Sequence, residues 1–144
     1  MVVISLMDYN DSNIRRELIM KHYSTPHLKS TLKRNDIDAY SNHCVDELHI
    51  QWEFEGDILK KANWDGQGCA VFQSSSDIFL LLSIGKSKKE IKELAINYEN
   101  LINNNNEIIN ESMLKDLMIY KNVKTQLNRL ECANMISQAI LKIK

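Results

Sequence analysis

From residue 47 to residue 54 the chain alternates strictly. Leu48, Ile50, Trp52 and Phe54 fall on one side, and Glu47, His49, Gln51 and Glu53 on the other. A period of two places side chains on opposite faces of a strand, so this segment predicts a strand with one buried face. Glu55-Gly56-Asp57 reads as a turn. Ile58, Ala62 and Trp64 then predict a returning strand, and Ile37–Tyr40 a short strand before it. The pattern changes elsewhere to the helical period. Residues 13–23 (NIRRELIMKHY) repeat Ile14, Leu18 and Tyr23 at helical spacing, with Asp11 or Ser12 placed to cap them and Pro26 just beyond. Residues 27–35 read as loop. Residues 66–69 (GQGC) interrupt the returning strand and open a helix over 70–84, with Gly85 at the left-handed position past its end. Ser87 and Glu90 form a capping box for a helix over 88–102. Asn103 to Asn106 predict a surface loop, and 112–120 and 127–143 two further helices.

The order is helix, meander, then helices, without an internal repeat or linker. That predicts an α+β fold: a small antiparallel three-stranded sheet with helices packed on one face, as a single domain over residues 1–144. Composition narrows the partners. A net charge of −1 gives no basic stripe for nucleic acid. The early cluster of Arg15, Arg16, Lys21, Lys29, Lys33 and Arg34 reads as a solvated helix face and loop more readily than as a docking patch. No apolar run approaches the roughly 20 residues of a membrane span, and MVVISLM at the start is too short for a secretory signal and lacks a basic end. The expectation is a cytoplasmic protein, in which the sequons at Asn10 and Asn110 are chance matches.

The candidate chemistry lies in three cysteines, which disulfides do not explain in a reducing compartment. Cys44 stands two residues before Asp46, so an extended chain places both on one face. Cys69 sits at a glycine-flanked helix start, where free N–H groups and the helix dipole favour a thiolate. Cys132 lies at the head of the last helix, three residues after Arg129. Three separated thiols and a carboxylate can build a tetrahedral zinc site. No C-x-x-C spacing is present, so three unrelated buried cysteines remain the alternative at this point. Gly85-Lys86-Ser87 is not a phosphate loop: Leu80 stands where that motif needs glycine. Of the four histidines, only His43 has an argument, as a neighbour supporting a Cys44 site.

Five segments in order resemble one family, the iron–sulfur cluster assembly proteins related to IscU and the NifU N-terminal domain. They are RRELIMKHYSTP (15–26), Cys44-Val45-Asp46, Gly66-Gln67-Gly68-Cys69-Ala70 with Ser74–Ser76, Gly85-Lys86-Ser87, and Arg129-Leu130-Glu131-Cys132-Ala133. The resemblance runs from about residue 13 to the C-terminus. The SufU branch is the most similar. A 63-residue separation of Cys69 and Cys132 leaves room for that branch's insertion, and Glu131 stands where IscU-type proteins have histidine. The resemblance implies a zinc site of Cys44, Asp46, Cys69 and Cys132, with Cys44 as sulfur acceptor and Arg129 orienting the site electrostatically, a surface arginine being the alternative. It implies a pyridoxal-phosphate-dependent, SufS-like cysteine desulfurase as partner, and downstream iron–sulfur assembly proteins beyond it. The alternatives are an iron–sulfur cluster assembled on the protein itself and a purely structural zinc. The sequence departs from the family pattern at Val45, at Asn42-His43 and at Leu127. Val45 is stiffer than the glycine it replaces, which bears on how Cys44 moves.

Overall fold

The structure is a computed structural model that describes residues 8–41, 46–103, 109–121, 123 and 127–143, with the side chains of 127–129 excepted. Helix α1 (Ser12–Ser24) leads into strands β1 (Ile37–Tyr40), β2 (Glu47–Glu55) and β3 (Ile58–Gln67). Helices α2 (Ala70–Ser83), α3 (Lys88–Ile102) and α4 (Glu111–Leu114) follow, then a 3₁₀ turn (Lys115–Tyr120) and α5 (Leu127–Leu141). The sheet is antiparallel in the order β1-β2-β3, as the alternation predicts.

The register explains the two faces. Ile37 pairs with Ile50, which pairs with Trp64, and all three are buried. One residue on, Asp38 pairs with His49 and His49 with Asp65, on the polar face. His49 is clamped there, with Nδ1 2.5 Å from Asp38 and Nε2 2.8 Å from Glu47. The two carboxylates favour the imidazolium and hold His49 above its ordinary titration range: the Asp38 hydrogen bond contributes most, against a smaller opposing effect of burial.

The helices cover the apolar face, and α2 is the central one. Every residue from Val71 to Leu80 is buried, because α2 packs on α1, α5, β3 and the 3₁₀ turn together. A helix enclosed on all sides must satisfy its polar groups internally. Ser75 and Ser76 accordingly donate to the Phe72 carbonyl, and Ser74 pairs with the Tyr120 hydroxyl at 2.5 Å. Helix α3 starts with the capping box foreseen at Ser87 and Glu90. Gly85 follows α2 at φ 90°.

Four expectations change. Helix α1 is capped by Asp11 and buries Leu18 and His22, while Tyr23 is exposed; the stripe runs from 18 to 22 because His22 finds a buried carboxylate. Residues 27–35 are not a free loop at their start. Leu28 accepts from Trp64 N–H and Ser30 donates to Trp64 C=O, a parallel bridge along the edge of β3. β3 extends to Gln67, beyond the expected break. The predicted helix over 112–120 is a single turn followed by the 3₁₀ segment. Leu117, Met118, Ile119 and Tyr120 are all buried, and one face of an α-helix does not bury four successive residues. The predicted loop at Asn103–Asn106 lies outside the described residues from 104 onward. Among the described residues, no helix is long and apolar enough to cross a membrane.

Candidate metal centre

The site forms where three elements meet. Asp46 stands at the entry to β2, Cys69 caps α2, and Cys132 is the sixth residue of α5. One ligand atom from each lies within 4.8 Å of the other two. Asp46 and Cys132 are buried at 4% and 6% exposure and Cys69 is exposed, so the cluster runs from the interior to the surface.

Local geometry fixes each group. Cys69 is the N-cap of α2, and its Sγ accepts the Phe72 N–H at 3.4 Å. Asp46 Oδ1 accepts the Cys69 N–H at 3.3 Å. That contact depends on glycine at 68: a Cβ there would lie 2.3 Å from Asp46 Oδ1 and 2.6 Å from the Phe72 ring. Gly66 is equally constrained, at φ 148° with its missing Cβ facing the Glu47 carbonyl at 1.9 Å. The G-x-G pattern before Cys69 is therefore a steric requirement of bringing β3 and the α2 cap against Asp46. The Cys132 thiol is pushed well above its ordinary range, first by burial and then by its hydrogen-bonding contacts with Asp46 and Cys69.

The second oxygen of Asp46 distinguishes this cluster. Oδ2 is buried and has no hydrogen-bond partner among the described residues. A buried carboxylate oxygen without a donor is costly. In a carboxylate grouped with two thiols, it fits a cation that prefers sulfur and oxygen ligands, as zinc does.

Cys44, the fourth predicted ligand, lies outside the described residues with Asn42, His43 and Val45. The chain on either side of that segment is closed by a hydrogen bond from Ser41 N–H to Asp46 C=O at 3.1 Å. Arg129 belongs to the first turn of α5, and its side chain, like that of Leu127, lies outside the described residues. The structure thus brings together three of the four expected ligands.

A second polar cluster escapes sequence reasoning. His22, His27 and Asp77 also offer ligand atoms within 4.8 Å of one another. Asp77 accepts four hydrogen bonds: from His22 Nδ1 at 2.7 Å, His27 N–H at 2.9 Å, Leu28 N–H at 2.8 Å and Trp64 Nε1 at 3.0 Å. Burial pushes its carboxyl up, but these bonds, that of His22 foremost, hold it below the usual carboxylate range. The only local signal is one aspartate in the apolar run DIFLLL; its partners lie 13 to 55 residues away.

Residues 14–140 match the family of the NifU-like N-terminal domain. The zinc-dependent sulfurtransferase SufU of Bacillus subtilis (strain 168) is 24% identical over 136 residues, covering 92% of this chain and 90% of the relative. The iron–sulfur cluster assembly scaffold protein IscU of Thermotoga maritima is 28% identical over 89 residues, 62% of this chain and 61% of the relative. Among solved structures, the SUF-system protein FiSufU of Fervidobacterium islandicum AW-1 superposes with a TM-score of 0.76 at 24% identity, covering 91% of this chain and 97% of that one. The N-terminal part of a NifU-like protein from Brucella abortus gives 0.74 at 16% identity, with 92% of each chain covered. With a family match over most of its length and the fold shared, the chain belongs to the NifU-like N-terminal domain family.

Proposed function

We propose that this protein is a SufU-like sulfur acceptor in iron–sulfur cluster assembly, with zinc held by Cys44, Asp46, Cys69 and Cys132. The observation that carries the reading is the clustering of Asp46, whose buried Oδ2 has no hydrogen-bond partner among the described residues, with the thiols of Cys69 and Cys132. It is supported by the similarity to a relative named as a zinc-dependent sulfurtransferase. Bound zinc would keep the coordinating thiols deprotonated at neutral pH.

The chain's own residues then have distinct tasks. Asp46 is fixed through Oδ1, which leaves Oδ2 free of donors among the described residues and able to serve as a ligand. Cys69 is held by the α2 cap at the exposed edge, and Cys132 anchors the buried end. Cys44 is the nucleophile. Its thiolate attacks the outer sulfur of a persulfide carried by the cysteine of a pyridoxal-phosphate-dependent desulfurase. A new S–S bond forms to Cys44, the old S–S bond breaks, and its electron pair leaves with the desulfurase thiolate. The exchange is isoelectronic and needs no added oxidant or reductant. Arg129 is the supporting cation in this reading.

Turnover of a cysteine desulfurase, measured with parent protein and with Cys44→Ala, tests the assignment. The parent stimulates sulfide release and the variant does not; equal stimulation would refute the acceptor role. The relative named as a scaffold keeps a second reading open, a cluster built directly on the thiols. Anaerobic reconstitution with iron and sulfide separates the two. Persistent visible cluster absorbance belongs to the scaffold, and Glu131 beside Cys132 favours its absence.

A further inference from the structure

The peptide group between Gly68 and Cys69 is gripped at both ends. Its N–H donates to Asp46 Oδ1 at 3.3 Å, and its C=O accepts from Gln73 Nε2 at 2.8 Å. Gln73 lies on α2 at 9% exposure, and its Oε1 accepts in turn from Lys29 Nζ at 3.0 Å. Lys29 is held there by the strand-edge bridge to Trp64 and by that indole ring, whose centroid lies 5.1 Å from Nζ. An ammonium only donates and a peptide carbonyl only accepts, so the orientation of the Gln73 amide is dictated from both sides. Ammonium, side-chain amide, backbone peptide and carboxylate thus form one directed chain, with every donor pointing toward Asp46.

We infer that Lys29 and Gln73 are positioning residues for the metal centre, acting through the Gly68–Cys69 peptide to fix which oxygen of Asp46 the centre receives. Hydrogen bonds in series polarise one another, so donation into the Gly68 carbonyl strengthens the Cys69 N–H as a donor. Asp46 Oδ1 is engaged by that N–H, and Oδ2 is left for the ligand. The same grip sets the backbone of Cys69 and therefore the place of its sulfur. The inference rests on the zinc reading above for its consequence, but the chain of bonds is a property of the metal-free protein.

The test uses Gln73→Met, which keeps the volume and removes the amide, and Lys29→Met, with Lys60→Met as a control of equal charge change at an exposed position. In the metal-free protein, the Cys69 amide proton shifts upfield in Gln73→Met, less so in Lys29→Met and not in the control. Zinc affinity, measured by competition with a chromophoric chelator, falls about tenfold in Gln73→Met, the usual cost of losing an outer hydrogen bond to a metal ligand. It falls by a smaller factor in Lys29→Met and stays unchanged in the control. Folded variants with the parent's Cys69 amide shift and zinc affinity would overturn the inference. So would variants that lose thermal stability while the Cys69 amide stays in place, since that is the mark of a merely structural role. If Gln73→Met does not fold, the half-buried Lys29→Met decides by the same readouts. Should the parent bind no zinc, the zinc reading fails by itself, and the amide shift still decides the relay.

Discussion

Two buried carboxylates serve the same helix, Asp77 from within α2 and Asp46 at its N-cap, and their surroundings are opposites. Asp77 has four donors for its two oxygens, which fills its acceptor capacity. Asp46 has the Cys69 N–H on Oδ1 and the Cys132 thiol alongside, with no hydrogen-bond partner on Oδ2 among the described residues. Each stands in a three-residue group compact enough for a metal ion. Ligand-atom distances alone therefore do not separate them; saturation does. A carboxylate already engaged by His22, Trp64 and two backbone N–H groups gives up hydrogen bonds to take a cation. One with a buried empty oxygen gains a partner. The first is a structural hub tying α1, residues 27–28 and β3 to α2, and the second is a ligand in waiting.

The two carboxylates part most widely when each is removed. Asp77→Ala strands four donors, two of them backbone groups, and is expected to cost about 3–5 kcal/mol. Urea unfolding of the metal-free protein measures this, and the folded fraction should keep the parent's zinc affinity. Asp46→Ala removes a poorly satisfied group. Metal-free stability should change by less than about 1 kcal/mol, while zinc affinity falls by more than about a hundredfold, beyond the cost of an outer-shell loss. Gly68→Ala perturbs the same carboxylate by steric means. The added methyl meets Asp46 Oδ1 at 2.3 Å, so overpacking of about 1–3 kcal/mol should appear in unfolding, together with weakened zinc binding.

Acid distinguishes the hub in another way. The folded-state pKa of Asp77 lies below its ordinary value. Its contribution to stability is therefore present above the unfolded value of about 3.9 and is lost as pH falls through the folded one. Unfolding free energy measured below about pH 4 should fall with acid in the parent and with a shallower slope in Asp77→Asn. The smallest effect belongs to the polar face of the sheet. His49 is raised by Asp38 and Glu47, so its contribution is fully present below the unfolded value of about 6.5 and is lost as pH rises through the folded one. His49→Gln should cost about 0.5 kcal/mol at pH 6 and nothing at pH 9, as expected for a partly exposed pair.

The two carboxylates also differ in how legible they were. The meander was plain in the alternation of Leu48, Ile50, Trp52 and Phe54, and the start of α3 in Ser87 and Glu90, because strand period and capping are local rules. Asp46 and Cys69 carried a signal in their neighbours: a cysteine two residues away in one case, flanking glycines in the other. Their convergence came from the resemblance, since nothing in the spacing of 46, 69 and 132 requires it. Asp77 had no such signal. Its donors come from α1, the edge segment and β3, and no local rule links them. Gln73 and Lys29 were silent for the same reason. Residues 112–120 misled because their burial is set by α1, α2 and α3 closing around them, which overrides helical period.

The claim that the Asp46 cluster, and not the Asp77 cluster, holds the metal is tested most directly by elemental analysis. Parent, Asp46→Ala, Cys132→Ser and His27→Ala are each purified without added metal. About one equivalent of zinc is expected in the parent and in His27→Ala, and none in Asp46→Ala or Cys132→Ser. Zinc retained by Asp46→Ala, or lost with His27→Ala, would contradict it.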